Sequence, residues 1–134
     1  MIMTQDEKEI LMIDLCGRLS YGVKCIDITP LEQFQDKNLW EIDRVRADVM
    51  ELGISNCYVC YGNYINIHNI KPYLFPLSSM TEEQKEEFDR LYTYDALIIE
   101  PQWELIDFCN KHHLDYRGLI PLGLAIDATN QNVY

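Results

Sequence analysis

Cys57-Tyr58-Val59-Cys60 sets two thiols at the spacing of half a zinc site, and Cys109 and His112 repeat that spacing near the end of the chain, with His113 next to them. Together Cys57, Cys60, Cys109 and His112 make four nitrogen and sulfur ligands. Strand geometry opposes the idea: in a regular strand the side chains of Cys57 and Cys60 point to opposite faces, and only a turn would bring them together. Free cysteine also serves as a small buried apolar group. A redox role would need a helix N-terminus to acidify the first thiol. A zinc-binding module is therefore an alternative reading, and no cofactor is expected. His112 and His113, with Asp115 nearby, suggest acid–base or metal chemistry, but adjacent helical residues project about 100° apart and chelate poorly. A helix C-terminus favours an imidazolium, which is structural reason enough for histidine there. Nothing in the sequence brings Cys16 and His68 together as nucleophile and base. Ser78-Ser79 lacks the glycine-flanked elbow of an esterase, and the six glycines are too scattered for a phosphate loop.

A second group of residues is better suited to recognition than to catalysis. Asp115-Tyr116-Arg117-Gly118 is a polar island between apolar stretches. Arg117 is expected to pair with Asp115 or a core carboxylate under the Tyr116 ring; the functional alternative is recognition of an anion or a partner. Of nine tyrosines, Tyr58, Tyr61, Tyr64 and Tyr73 fall within 16 residues. Tyrosine offers a large contact area with little entropy to lose, which suits a binding surface, and equally suits a half-covered sheet face. The candidate binding set is Tyr21, Tyr73, Asp115, Tyr116 and Arg117. A small enzyme using Tyr21, Tyr73, Asp115 and Arg117 at a sheet–helix junction is a third reading, and it requires a deep pocket with convergent polar groups.

These residues must be positioned by a mixture of helices and strands. Thr4 to Glu7 opens a helix with a cap and a carboxylate three residues on. The stripe Ile10, Leu11, Ile13, Leu15 and Leu19 carries it to about Cys16, where Gly17 is expected to stop it. Tyr21 to Ile28 favours a strand, broken by Thr29-Pro30, with Leu31 to Asn38 as a connection. Residues 40–52 fit either period, and strand is preferred because hairpins are local and β-rich sequence follows. Gly53 is expected to end that segment. Asn56 to Tyr61 should be a strand, Gly62-Asn63 a tight turn, and Tyr64 to His68 its antiparallel return. Pro72 and Pro76 predict a stiff extended link. Thr81 with Gln84 makes a capping box for a helix that buries Phe88, Leu91 and Tyr92, and Glu82 and Glu83 suit its dipole. Another helix should begin near Pro101 and bury Trp103, Ile106, Phe108 and Cys109. The apolar tail from Leu114 to Ile126 should wrap back onto the core.

The fold expected is a single α+β domain over residues 1–134: an N-terminal helix, a small bent antiparallel sheet or partial barrel, two C-terminal helices and the tail. The formal net charge of -11 disfavours direct nucleic-acid binding or docking on an anionic membrane. The excess is uneven, with nine acids and two bases in residues 81–107. That half is read as a solvated face; the sharper alternative is a mimic of nucleic acid or a docking face for a basic partner. The N-terminal residues lack the pattern of a secretory signal, and no apolar run is long enough to span a bilayer, so a cytoplasmic setting with reduced thiols at all five cysteines is expected.

Three stretches, Asp14 to Val23, Lys71 to Thr81 and His113 to Ile120, resemble a group of small proteins of gut-bacterial genomes and their phages or mobile elements. The likeness spans most of the chain and is loose over residues 29–68. It implies a phage or mobile-element setting and carries no catalytic residue, cofactor or mechanism. The function expected is a non-enzymatic accessory protein that binds a protein partner, with self-association open.

Overall fold

A computed structural model describes residues 3–27, 39–46, 48, 50–56, 59–97 and 103–134, with side chains throughout except at 27, 55, 56, 59–63 and 93–97. The first helix, α1 (Gln5–Arg18), starts where expected. Thr4 Oγ1 accepts the Glu7 N–H at 3.1 Å, and the Glu7 carboxylate accepts the Thr4 N–H at 2.9 Å, so two free helix-end donors are satisfied reciprocally. Its end corrects the sequence reading. Gly17 does not stop the helix but lies inside it, where a Cβ would stand 3.0 Å from Asn110 Nδ2. A side chain there would press on the Asn110 amide of the last helix. The chain leaves through a 3-10 turn at Leu19–Tyr21 and reverses at Gly22, φ 69°. The buried face is also rotated from the expected stripe. Leu11, Met12, Leu15, Asp14 and Arg18 are buried, whereas Ile10 and Ile13 face solvent.

The sheet contains β1 (Lys24–Asp27), β2 (Leu39–Arg46), β3 (Glu51–Asn56), β4 (Val59–Asn66), β5 (Ile70–Leu74) and β6 (Ile126–Asp127). Its order is β4-β3-β2-β1-β5-β6. It is open and mixed: among the described residues the strand pairings are antiparallel except β5 with β6, and the isolated bridge Phe75–Leu114 is also parallel. Thr29, Pro30 and the connection to Asn38 lie outside the described residues. The preference for strand over helix in residues 40–52 holds at 40–46 and at Glu51 and Leu52, but the segment is not one strand: β2 and β3 pair antiparallel, with Asp48 and Met50 in a turn between them.

Three local expectations give way to register. Gly53 is interior to β3, opposite Arg44, and the pairing shifts between Ile42 and Arg44. A Cβ on Gly53 would meet Arg44 Cβ at 2.8 Å, so this glycine exists for contact across the bulge. Gly62 and Asn63 lie within β4 and make no turn. The β3–β4 register pairs Ile54 with Asn63 and Asn56 with Val59. Burying Leu52 and Ile54 on the core face decides this, because a one-residue slip would turn both to solvent. The stretch around Pro72 is no link but strand β5, with Pro72 opposite Cys25.

Thr81 caps α2 (Glu82–Leu97): its hydroxyl accepts the Gln84 N–H at 3.1 Å and its own N–H donates to Gln84 Oε1 at 3.0 Å. Leu91 is buried, but Tyr92 is 57% exposed, contrary to expectation. The last helix is α3 (Trp103–Lys111), and Pro101 lies outside the described residues. Its buried side is Leu105, Cys109 and Asn110, with Phe108 half-buried; Trp103 and Ile106 point outward. The tail wraps back as expected. Leu119, Leu124, Ala125 and Ala128 are buried, and β6 runs parallel to β5. The core lies between α1, the tail and one face of the sheet, around Val23, Cys25, Ile42, Leu52, Ile67, Ile70 and Leu74.

Gly53→Ala is expected to lower stability by about 1–3 kcal/mol, because the new methyl overlaps the Arg44 Cβ across the bulge. Urea unfolding of the two proteins measures this; an unchanged midpoint would show that the strands separate freely there.

Candidate functional site

The strongest concentration of polar side chains lies at the corner where α1 and α3 end and the tail begins. Asp14 and Arg18 are one helical turn apart on α1, and both side chains are fully buried. Arg18 Nε donates to Asp14 Oδ2 at 2.7 Å, and Nη2 donates to Asp14 Oδ1 at 3.2 Å and to the Leu114 carbonyl at 2.6 Å. Arg117 reaches the same carboxylate, its Nε 3.2 Å from Asp14 Oδ1. The Tyr116 ring lies beside both cations, with the Arg18 and Arg117 guanidinium carbons 5.2 and 5.1 Å from its centroid. The Asp115 carboxylate instead accepts the N–H groups of Leu119 at 2.8 Å and Ile120 at 2.9 Å. Arg117 thus pairs with a core carboxylate rather than with Asp115.

The chain segments around this cluster are tied together by backbone bonds. Phe75 N–H donates to the His113 carbonyl and Asp115 N–H to the Phe75 carbonyl, both at 2.8 Å. His113, at φ 57°, turns the chain out of α3. Its ring stacks on Tyr134 with centroids 3.7 Å apart. The Tyr134 hydroxyl accepts the Lys24 N–H at 2.9 Å and donates to the Tyr73 carbonyl at 2.8 Å, bridging β1 and β5 beyond their paired residues. Burial pushes the Tyr134 phenol far above its ordinary value. The His113 imidazole is pushed down from 6.5 to about 4, first by burial and then by Arg18, His112 and Lys24.

The five residues of the candidate binding set are not all used alike. Asp115, Tyr116 and Arg117 converge at this corner. Tyr73 contributes its carbonyl, while its half-buried phenol is pushed upward by burial and by Cys25. Tyr21 is exposed in the 3-10 turn after α1. Tyr64 and Tyr73, close in sequence, have three strands between them, and Tyr64 packs under Arg44 and Arg46. The side chains of Tyr58 and Tyr61 lie outside the described residues. A cleft of about 210 Å³ opens nearby, lined by Phe75, Ser79, Thr81, Gln84, His112 and Leu114 and by none of the candidate set.

Of the zinc ligands considered, Cys57 and the Cys60 side chain lie outside the described residues. Cys109 is buried, and burial pushes its thiol up to about 11. His112 Nδ1 stands 3.3 Å from Gln84 Nε2, and its ring packs on Phe108. His112 and His113 therefore turn toward different neighbours. Among the described residues no group of three His, Cys, Asp or Glu side chains is arranged to hold a metal ion.

Chemically the corner is a clamp. One buried carboxylate serves two guanidinium groups, and helix, strand end and tail all contribute. Among the described residues, Arg18 Nη1, Asn110 Oδ1 and His113 Nδ1 are buried with no hydrogen-bond partner. Asp14, Arg18 and Tyr134 were missed as key residues in the sequence. The available signal was the charged pair at i and i+4 in line with Leu11 and Leu15, a position that would bury it.

Asp14→Ala leaves Arg18 buried without its counter-ion and should cost about 3–5 kcal/mol, whereas Asp14→Leu with Arg18→Met should recover much of that loss. Chemical denaturation of both variants tests the clamp. For His113, the unfolded chain binds its proton near 6.5 while the fold resists until about 4. Stability is therefore expected to fall as pH drops through that window and, through this group, to fall no further below it. His113→Phe should flatten that part of the pH–stability curve relative to wild type. An identical slope in both proteins would show that His113 is not the source.

Comparison of the chain with protein-family models, curated proteins and solved structures finds no match.

Proposed function

We propose that this is a non-enzymatic accessory protein, of phage or mobile-element type, that works by binding a protein partner through the outward faces of α1 and α3. One observation carries the reading. Ile13 is 59% exposed, Trp103 54%, Ile106 40% and Ile10 39%, so two neighbouring helices both turn large apolar side chains to solvent. Apolar surface costs free energy in water, and a contiguous patch of it commonly marks an interface. Trp is also the side chain most enriched among residues that dominate binding energy. The resemblance of Asp14 to Val23, Lys71 to Thr81 and His113 to Ile120 to small phage and mobile-element proteins supplies the biological setting. A cytoplasmic location is part of the proposal. Among the described residues no helix is long and apolar enough to cross a membrane.

Tagged protein should recover a specific partner from a lysate of its own host, and Ile13→Ala with Ile106→Ala should lose that partner while keeping the wild-type unfolding midpoint. Failure of the wild type to recover any specific partner would end the proposal.

A further inference from the structure

The capping box of α2 is tied to the end of α3 through one side chain. Gln84 Oε1 accepts the Thr81 N–H at 3.0 Å, and the Gln84 amide nitrogen stands 3.3 Å from His112 Nδ1. An amide nitrogen only donates, so the cap fixes the amide and the amide fixes the ring. Nδ1 must be the bare nitrogen, and the imidazole proton sits on Nε2. Phe108 packs on the ring from its own helix, with centroids 4.6 Å apart. Gln84 and His112 also line the cleft of about 210 Å³, together with Phe75, Ser79, Thr81 and Leu114.

A second proton on the ring makes this arrangement impossible. An imidazolium carries a proton on Nδ1, which would point at the amide nitrogen, donor against donor. Turning the amide over offers Oε1 to the imidazolium in a charge-assisted bond. The same turn withdraws Oε1 from Thr81 and sets the amide nitrogen against the Thr81 N–H. Gln84 cannot serve the cap and an imidazolium together. The bond from the Gln84 backbone N–H to Thr81 Oγ1, 3.1 Å, is available in both states, so the change is local.

The surroundings favour the neutral ring. Burial, and after it Lys111 beside it on α3, push the His112 imidazole below its ordinary value. His113, next in the chain, is held down to about 4. From α2 the facing group is the Gln84 amide, and Glu82 and Glu83 of the same turn are exposed. The other cleft residues, Phe75, Ser79, Thr81 and Leu114, bring no charge.

We infer that Gln84 is a proton-operated switch: with His112 neutral it caps α2 and joins that helix to α3, and with His112 charged it turns over and uncaps Thr81. The first turn of α2 then loses one of its two side-chain cap bonds, and the polar wall of the cleft is rearranged. The switch operates whether or not a partner is bound.

The test is NMR of the full nitrogen-labelled chain, with chelator present so that no metal holds the imidazole. At neutral pH the His112 ring is expected in its Nε2–H form. On acidification the Thr81 amide resonance should move with the same midpoint as the His112 ring. The Thr4 amide, held by Glu7 in the other capping box, should not follow that midpoint. Gln84→Glu keeps the box, because a carboxylate accepts from Thr81 and from an imidazolium at once. In that variant His112 should titrate about one pH unit or more higher, and the Thr81 amide should hold its position as it does. A neutral ring protonated on Nδ1 would overturn the inference. So would a Thr81 amide indifferent to His112, one that moves equally in Gln84→Glu, or an unchanged His112 midpoint in that variant.

Discussion

The Asp14 carboxylate, fully buried and shared between Arg18 and Arg117, is the constraint on which the rest of this structure depends. Removing charges from water costs several kcal/mol per ion, and an apolar pair of similar volume would serve stability as well or better. A carboxylate with two guanidinium partners has directional requirements that an apolar contact lacks. Arg18 must also reach the Leu114 carbonyl, and Arg117 must approach from the tail. The clamp therefore specifies which turn of α1 meets which residue of the tail. It rotates α1 so that Asp14 and Arg18 face inward, and that rotation turns Ile10 and Ile13 outward.

The placement of the tail follows. With Leu114 held by Arg18 and bridged to Phe75, the following residues close on the Asp115 carboxylate and run on to β6 beside β5. The parallel strand is added by a segment whose course is set by side-chain bonds at its start. The Tyr134 hydroxyl then completes the β1–β5 junction by accepting from one strand and donating to the other. Helix, sheet and tail share one corner, so loss of the clamp would loosen all three.

The Asp14 and Arg18 side chains are turned fully inward, while Ile10, Ile13, Trp103 and Ile106 on α1 and α3 are displayed to solvent.

The sequence by itself determined the elements whose signals are local. Thr4 with Glu7 and Thr81 with Gln84 are reciprocal caps complete within four residues, and both form as read. The α+β class, the preference of strand over helix around residues 40–46 and the return of the apolar tail were also legible from residue type and period, but not the turn that splits residues 40–52 into two antiparallel strands. What only the tertiary structure decided depends on partners far along the chain. Gly17 and Gly53 look like stops in sequence, but the first lies inside α1 beside the Asn110 side chain and the second lies where Arg44 passes too close for a side chain. Gly62-Asn63 has turn chemistry, yet the demand to bury Leu52 and Ile54 carries it into a strand. Asp14 and Arg18 look like an ordinary surface pair at i and i+4; the arrival of Leu114 and Arg117, about 100 residues later, makes them the buried centre. The face a helix buries is chosen by the surface it meets, and periodicity alone does not contain that surface.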